Sequence, residues 1–175
     1  MNSLTRRWLF LLAVVAVVLA IDQVTKQLVI SNLRLGESYR LIPALYPYFQ
    51  IIRSENTGAA FGFLTQSSDL FLVVALVVVA IMLVFYPRVP EKARLTRFAM
   101  GMVVGGALGN AFDRVSQGAV VDFINYQVPG FVSNVSNLAD HAIVIGVLII
   151  VVQSWRADTV KDRAEAESTS SEHHS

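Results

Sequence analysis

Long apolar stretches alternate with short polar segments along this chain. Four stretches are dominated by aliphatic and aromatic side chains, and they cover residues 8–30, 70–86, 95–112 and 138–155. At ~1.5 Å per helical residue, segments of this length can cross the ~30 Å hydrocarbon core of a bilayer. The pattern predicts an all-α polytopic membrane protein with four transmembrane helices.

The segments between the spans predict the rest of the layout. Residues 31–67 and 114–137 should form two loops on one side of the membrane. The first loop is rich in aromatic and β-branched residues between Tyr39 and Ile52, which favours short strands. We therefore expect one membrane domain, residues 1–157, with a small β-containing outward platform. The polar, acidic segment 158–175 is predicted to be a disordered cytoplasmic tail.

The distribution of positive charge predicts the orientation. Nine of the 14 Lys and Arg residues lie before the first span, between the second and third or in the first turn of the third, or after the fourth. Lys and Arg collect in cytoplasmic loops, so both termini are expected inside and the two long loops outside. Trp8 and Trp155 lie at the inner boundary, where aromatic side chains often anchor helices.

The first apolar stretch has an alternative interpretation. Arg6 and Arg7, the apolar run after them and the small residue Ala20 could form a secretory signal with cleavage after Ala20. Against this, the helical pattern continues beyond Ala20, and Asp22 and Lys26 have the i, i+4 spacing of a pair on one helix face. An uncleaved first span is the expectation.

The composition indicates that much of the chain lies in lipid, and it argues against several kinds of binding site. Hydrophobic residues make up 54% of the chain and charged residues 15%, with a mean hydropathy of +0.56; soluble domains carry about 25% charged residues. The net charge of +1 and the lack of a basic stripe argue against nucleic-acid binding. No Cys is present, so disulfides and Cys-ligated metal are excluded. We expect no metal and no cofactor, with His141 a hydrogen-bonding residue rather than a ligand.

A row of glycines marks the third apolar stretch. Gly101, Gly105 and Gly109 recur at four-residue spacing, with Gly106 beside them. Such rows let helix backbones approach closely in a membrane, so helix packing is the expected role. A structural or assembly subunit built around this row is one alternative function for the chain.

Four aspartates fall inside the spans or near their outer ends. They are Asp22, Asp113, Asp122 and Asp140. An ionisable group at such depth is costly unless it is paired or hydrated, and it is therefore a candidate site residue. All four lie towards the same face of the predicted membrane domain.

The sequence offers partners for only two of these aspartates. Asp22 has Lys26 one helical turn later, and Asp113 is followed directly by Arg114. No Lys or Arg lies within four positions of either of the others, which are Asp122 and Asp140.

Two such carboxylates in one partly dehydrated pocket have a definite chemistry. Repulsion raises the pKa of one member, so that Asp122 and Asp140 could act as an acid and a base near neutral pH. The pair could then deprotonate water and protonate an amide leaving group. The alternative is structural: the carboxylates cap helices or bind buried basic groups.

Five segments in order resemble motifs of the bacterial lipoprotein signal peptidase (signal peptidase II) family. The resemblance covers about residues 8–156, and the segments are Asp22 to Lys26, Asn56 to Gly62, Gly105 to Arg114, Val120 to Phe123 and Asn137 to Asp140. It implies an aspartyl endopeptidase of the bacterial cytoplasmic (inner) membrane, with its active site near the periplasmic face. The implied partners are membrane lipid and prolipoproteins, which are cut just before a diacylglyceryl-modified cysteine. We expect a monomer.

The resemblance also implies roles for individual residues. Asp122 and Asp140 would be catalytic. Residues that bind substrate or support the pair would be Asn56, Gly58, Asn110, Arg114 and Asn137. Structural support would come from Asp22, Lys26 and Asp113. The main alternative is a small proton-coupled transporter, which would distribute its carboxylates across the membrane depth.

Overall fold

Four helices and a four-stranded antiparallel sheet make up the described part of the chain. The computed structural model describes residues 2–58, 67–128, 130 and 132–172. The helices are α1 (Ser3–Asn32), α2 (Ser67–Phe85), α3 (Arg94–Gln117) and α4 (Leu138–Glu172). The strands are β1 (Ser38–Tyr39), β2 (Phe49–Asn56), β3 (Val120–Val128) and β4 (Val132–Ser136), in the sheet order β1-β2-β3-β4. Short 3-10 turns cover Pro43–Leu45 and Tyr86–Arg88.

Three helices in the described residues are long and apolar enough to cross a membrane. They are Ser3–Asn32, Ser68–Arg88 and Leu138–Ala157. Many of their apolar side chains are exposed, as a lipid-facing surface requires. The third predicted span, now α3, is not among them, because glycine and polar side chains reduce its hydropathy. Three of the four predicted spans are thus supported by length and composition.

Helix α3 lies at the centre of the helical bundle, against α1, α2 and α4. A Cβ atom on Gly101 or Gly105 would come within 2.8 Å of a valine side chain of α1. A Cβ on Gly106 would lie 2.5 Å from the carbonyl oxygen of Ala139 in α4. The glycine row therefore packs α3 against both neighbours, as predicted from its spacing.

The sheet covers the end of the bundle where α1 and α3 finish and α4 begins. Its strand β3 pairs with β2 on one side and β4 on the other, and Asp122 lies opposite Ser54. Residues 120–125 are buried, and Phe123 and Ile124 pack with Val29 of α1. The sheet therefore fixes the position of Asp122 relative to the helices.

Two boundaries differ from the sequence predictions. The segment 114–137, expected as a loop, contains the end of α3 and both β3 and β4. Its run of β-branched residues from Val120 is typical of a buried central strand. Helix α4 also continues to Glu172, where a disordered tail was expected from residue 158; no Gly or Pro interrupts this stretch to end the helix.

Helix α1 is continuous through Ala20, the position of the alternative cleavage site. Its second half holds Asp22 and Lys26, which are buried and form an ion pair with an N–O distance of 2.8 Å. The pairing predicted from their i, i+4 spacing is confirmed. The second half of α1 is therefore part of the folded core.

Candidate active site

The four aspartates meet where α1, α3, α4 and β3 come together. Asp22 lies on α1, Asp113 near the end of α3, Asp122 on β3 and Asp140 in the first turn of α4. The first three are almost fully buried, and Asp140 is half-buried. The clustering expected from sequence is present. Asp22 and Asp113 belong to an ion network around Lys26, and Asp122 and Asp140 form a pair linked by asparagine amides.

The ion network is built on one ammonium group. Lys26 Nζ lies 2.8 Å from Asp22 Oδ2 and 2.6 Å from Asp113 Oδ2, and it donates to Asn110 Oδ1 at 3.0 Å. The expected pairing of Asp113 with Arg114 is wrong. Consecutive helical residues point in different directions, so Asp113 faces α1 instead.

The two network carboxylates also hold the backbone on either side of the site. Asp22 Oδ1 accepts a hydrogen bond from the Ala139 N–H at 3.0 Å. Asp113 Oδ2 accepts one from the Val121 N–H at 3.2 Å. Each donor belongs to the residue immediately before Asp140 or Asp122. The network therefore positions the backbone from which both of these side chains extend.

Two asparagine amides bind the Asp122 carboxylate. Asn56 Nδ2 donates to Asp122 Oδ2 at 3.0 Å, and Asn137 Nδ2 donates to Asp122 Oδ1 at 2.6 Å. The pKa of Asp122 is raised to about 6. Burial is the largest cause and the charge on Asp140 adds to the rise, while the two amide hydrogen bonds and the charge on Lys26 oppose it. Asp122 is thus a carboxyl group that holds its proton more readily than usual.

Asp140 is oriented by Asn110 and by the start of its own helix. Asn110 Nδ2 donates to Asp140 Oδ1 at 2.7 Å. Asp140 Oδ2 accepts from the Asn137 N–H at 3.3 Å, and Asn137 Oδ1 accepts from the Asp140 N–H at 2.9 Å. This reciprocal pair has the geometry of a capping box. The helix-capping role considered for Asp140 is therefore present as well.

A chain of amides joins the two carboxylates. Asn137 Nδ2 lies within hydrogen-bonding distance of both Asp122 Oδ1 and Asn110 Oδ1, at 2.6 and 3.2 Å. Asn110 in turn donates to Asp140. The connected order is Asp122, Asn137, Asn110, Asp140, so that a shift in one side chain changes the hydrogen bonds of the others.

The remaining candidates lie beside this chain. The Gly58 N–H donates to Asn56 Oδ1 at 2.9 Å, and its φ of +82° is a conformation that favours glycine. Arg114 Nη1 donates to the Asn110 carbonyl at 3.2 Å. Within the described part of the chain, the buried Nε of Arg114 has no hydrogen-bond partner. Residues 59–62 of the predicted Asn56 motif lie outside the described residues.

A cavity of about 400 Å³ opens next to Asp140. Polar groups lining it include Asn56, Tyr126 and His141, and Val144 and Ile145 supply an apolar wall. The cavity therefore has both a polar and an apolar wall. Among the described residues, no group of three or more His, Asp or Glu side chains is arranged to hold a metal ion.

Sequence reasoning missed Gln23 and the Tyr126–His141 pair. Gln23 Nε2 donates to Asp113 Oδ1 at 2.9 Å and completes the ion network. His141 Nδ1 lies 2.6 Å from the Asn137 carbonyl, and Tyr126 Oη lies 3.4 Å from His141 Nε2. His141 is thus a hydrogen-bonding residue, as expected. The signal for Gln23 was a second costly polar residue beside Asp22 in an apolar span.

Comparisons with known proteins identify the family. The sequence profile described as Signal peptidase (SPase) II matches residues 14–156. The chain is 38% identical to the lipoprotein signal peptidase of Photorhabdus laumondii, over 85% of this chain and 87% of that protein. It is 40% identical to that of Pelotomaculum thermopropionicum, over 81% and 89%.

A solved structure has the same fold. It is a bacterial membrane enzyme determined by the in meso method at 2.3 Å resolution, with a TM-score of 0.76 and 28% sequence identity. The match covers 87% of this chain and 91% of the other. Profile, sequence relatives and fold agree over most of the length, and the chain belongs to the lipoprotein signal peptidase (signal peptidase II) family.

Proposed function

We propose that this member of the signal peptidase II family is an aspartyl endopeptidase that uses Asp122 and Asp140. Its substrates would be prolipoproteins, cut N-terminal to the diacylglyceryl-modified cysteine. The observation that carries the proposal is the hydrogen-bonded chain through Asn137 and Asn110, which links buried Asp122 to Asp140 in the lining of a cavity. No covalent enzyme intermediate is required, because water is the nucleophile.

In the proposed mechanism the two aspartates have different roles. In the reactive form Asp122 carries the proton, and its raised pKa of about 6 keeps a fraction of the molecules in this form near neutral pH. Asp140 removes a proton from water, and the resulting hydroxide attacks the scissile carbonyl carbon. Asp122 then protonates the amide nitrogen as the carbon–nitrogen bond breaks. Transfer of the proton from Asp140 back to Asp122 restores the starting state.

Arg114 is the proposed stabiliser of the developing oxyanion. Its Nη1 is already held by the Asn110 carbonyl, while its Nε is buried and has no partner among the described residues. A donor aimed at an oxyanion contributes ~2.7–4 kcal/mol to catalysis in other enzymes. Asn56, which lines the cavity and is held by the Gly58 N–H, would orient Asp122 and position the peptide.

The proposal includes a membrane topology. We propose that α3 crosses the bilayer with the other three helices, which surround it and shield its polar residues from lipid. Both termini would be cytoplasmic because positive charge gathers at that end, and the site would face the periplasm of the bacterial inner membrane. The protein would act as a monomer without a cofactor. A scissile bond held at the membrane surface by its lipidated cysteine suits a site at that depth.

The positions of the four aspartates do not support the transporter alternative. A proton relay would need ionisable groups at several depths, whereas Asp22, Asp113, Asp122 and Asp140 gather at one end of the bundle. Proteoliposomes provide a simple discriminating measurement. Substrate-dependent proton flux without peptide cleavage would favour the transporter over the peptidase.

The decisive test is cleavage of a diacylglyceryl-modified prolipoprotein by the purified enzyme, followed by gel shift. Asp122→Asn and Asp140→Asn should each reduce kcat by at least about a thousandfold, because each removes one partner of the acid–base pair. Thermal unfolding would verify that both variants remain folded.

The matched control is Asp69→Asn, which neutralises an exposed aspartate in the first turn of α2. It should cleave at nearly the wild-type rate. Wild-type activity in either variant of the Asp122–Asp140 pair would refute the mechanism.

A further inference from the structure

A second cavity lies at the opposite end of the bundle from the aspartate cluster. It has a volume of about 620 Å³ and lies between the start of α1 and the turn that joins α2 to α3. Arg97, which lines it, precedes Asp113 on α3 by 16 residues, a distance of about 24 Å along the helix. This cavity is therefore remote from the proposed chemistry.

The cavity is strongly basic. Five cationic side chains line it, and the one acidic side chain in the lining is Glu91; the cations are Arg6, Arg7, Lys92, Arg94 and Arg97. None of these cations forms an ion pair with an Asp or Glu in the described part of the chain. Five positive groups against one negative group leave an excess of four charges, which favours an anionic ligand.

Two of the arginines are fixed in place with unused donors. Arg97 is buried, and its Nη2 donates to the Pro90 carbonyl at 2.6 Å. Arg7 donates through Nη2 to the Val89 carbonyl, and its own carbonyl accepts from Tyr86 Oη at 2.6 Å. The Nε atoms of both arginines are buried and have no hydrogen-bond partner among the described residues. The carbonyl hydrogen bonds therefore hold two guanidinium groups beside the cavity, where their positive charge favours an anionic ligand.

The cavity also has an apolar edge that continues into the membrane-facing surface. Phe10 lines it, and Leu9 and Phe10 are 49% and 41% exposed on α1, one of the helices able to cross a membrane. A phosphate group with acyl chains would satisfy both parts, with the phosphate among the arginines and the chains along α1. A free phosphate ion would satisfy only the basic part.

We infer that this cavity binds the phosphate headgroup of an anionic phospholipid, with its acyl chains lying along α1. Basic pockets between membrane helices bind such headgroups in other proteins. In the proposed orientation the cavity opens at the cytoplasmic leaflet, where the bound lipid would tie the start of α1 to the α2–α3 turn.

The test measures binding of dioleoylphosphatidylglycerol to the full-length protein in detergent, by native mass spectrometry and by thermal stabilisation. Dioleoylphosphatidylcholine, which has no net charge, is the reference lipid. The anionic lipid should bind at least about tenfold more tightly. Lys92→Gln/Arg94→Gln should remove roughly tenfold of this affinity, and both residues are exposed, so the fold should be retained.

Two further variants separate a specific site from general attraction. Arg88→Gln/Arg156→Gln removes the same charge from exposed positions outside the cavity, and it should change affinity by less than about threefold. Lys92→Arg/Arg94→Lys keeps the charge and should retain binding. Equal losses in the two Gln pairs, or no preference for the anionic lipid, would overturn the site. Equal stabilisation by millimolar inorganic phosphate alone would overturn its assignment to a lipid.

Discussion

At the scale of single residues, the environment of Asp122 has a consequence for stability. Burial raises its pKa to about 6, above the ordinary value of 3.8. The folded state therefore binds the Asp122 proton more tightly than the unfolded state does. It follows that ionisation of this group lowers the free energy of unfolding. The penalty is absent below about pH 4, grows between about pH 4 and 6, and stays constant above that range.

We predict that Asp122→Asn gains stability relative to the wild type as the pH rises from 4 to 7. The relative gain should reach at most about 3 kcal/mol, since one pKa unit corresponds to ~1.4 kcal/mol. Melting temperatures in detergent across this range would measure it. In Asp69→Asn, where the aspartate is exposed, the difference from wild type should vary little with pH. A constant difference for Asp122→Asn as well would contradict the raised pKa.

Much of the residue-level site could be predicted from sequence. Asp22, Asn110, Asn137 and Asp140 were singled out, and the structure brings them together. The partner of Asp113 could not be predicted, because Lys26 lies 87 positions away and only the packing of α1 against α3 brings it near. Adjacency in sequence favoured Arg114, but helix geometry separates those side chains.

At the scale of elements, the contact between α3 and α4 sets the position of Asp140. Gly106 faces the Ala139 carbonyl, with 2.5 Å between that oxygen and an added Cβ. A carbonyl fixed in a helix cannot yield as a side chain can, so the helices would separate. Asn110, one turn after Gly106, would then lose its hydrogen bond to Asp140.

We predict that Gly106→Ala lowers kcat/KM for prolipoprotein cleavage by at least tenfold, because small displacements of catalytic groups are costly. The control is Gly118→Ala at the end of α3, where an added Cβ meets no atom within 4 Å. Because Gly118 has a left-handed backbone conformation, the alanine should lower the stability of the fold by roughly 1 kcal/mol. The variant should still cleave within about threefold of the wild-type rate. Similar losses in both variants would contradict the steric explanation.

The helices were predictable as elements because uninterrupted apolar runs identify them. The strands β3 and β4 were not, because a segment of fewer than ten residues gives little periodic signal between two long spans. The end of α4 was also missed. A polar, acidic composition favoured disorder, yet the stretch contains no residue that ends a helix.

At the scale of the whole molecule, the ion network ties together four elements. Lys26 of α1 binds Asp113 of α3, and the two carboxylates reach the backbones of β3 and α4. Its Lys and both of its Asp side chains are at most 2% exposed. Removal of the cation would leave two buried carboxylates without a counter-charge.

We predict that Lys26→Met lowers the free energy of unfolding by about 3–5 kcal/mol, the usual cost of breaking a buried ion pair from one side. Lys92→Met, at an exposed position, should change it by less than ~0.5 kcal/mol. Thermal unfolding in the same detergent would compare them. Adding Asp22→Asn to Lys26→Met should recover part of the loss. Equal melting temperatures for the two single variants would show that the network does not stabilise the fold.

The two backbone hydrogen bonds of this network also limit how the protein could be engineered. A buried ion cluster elsewhere can often be exchanged for apolar side chains with no loss of stability. Here Asp22 and Asp113 are the acceptors for the amides that precede Asp140 and Asp122. Apolar replacement of the cluster could therefore raise the stability of the enzyme and still reduce its activity. The backbones that carry Asp122 and Asp140 would lose the two acceptors that hold them in place.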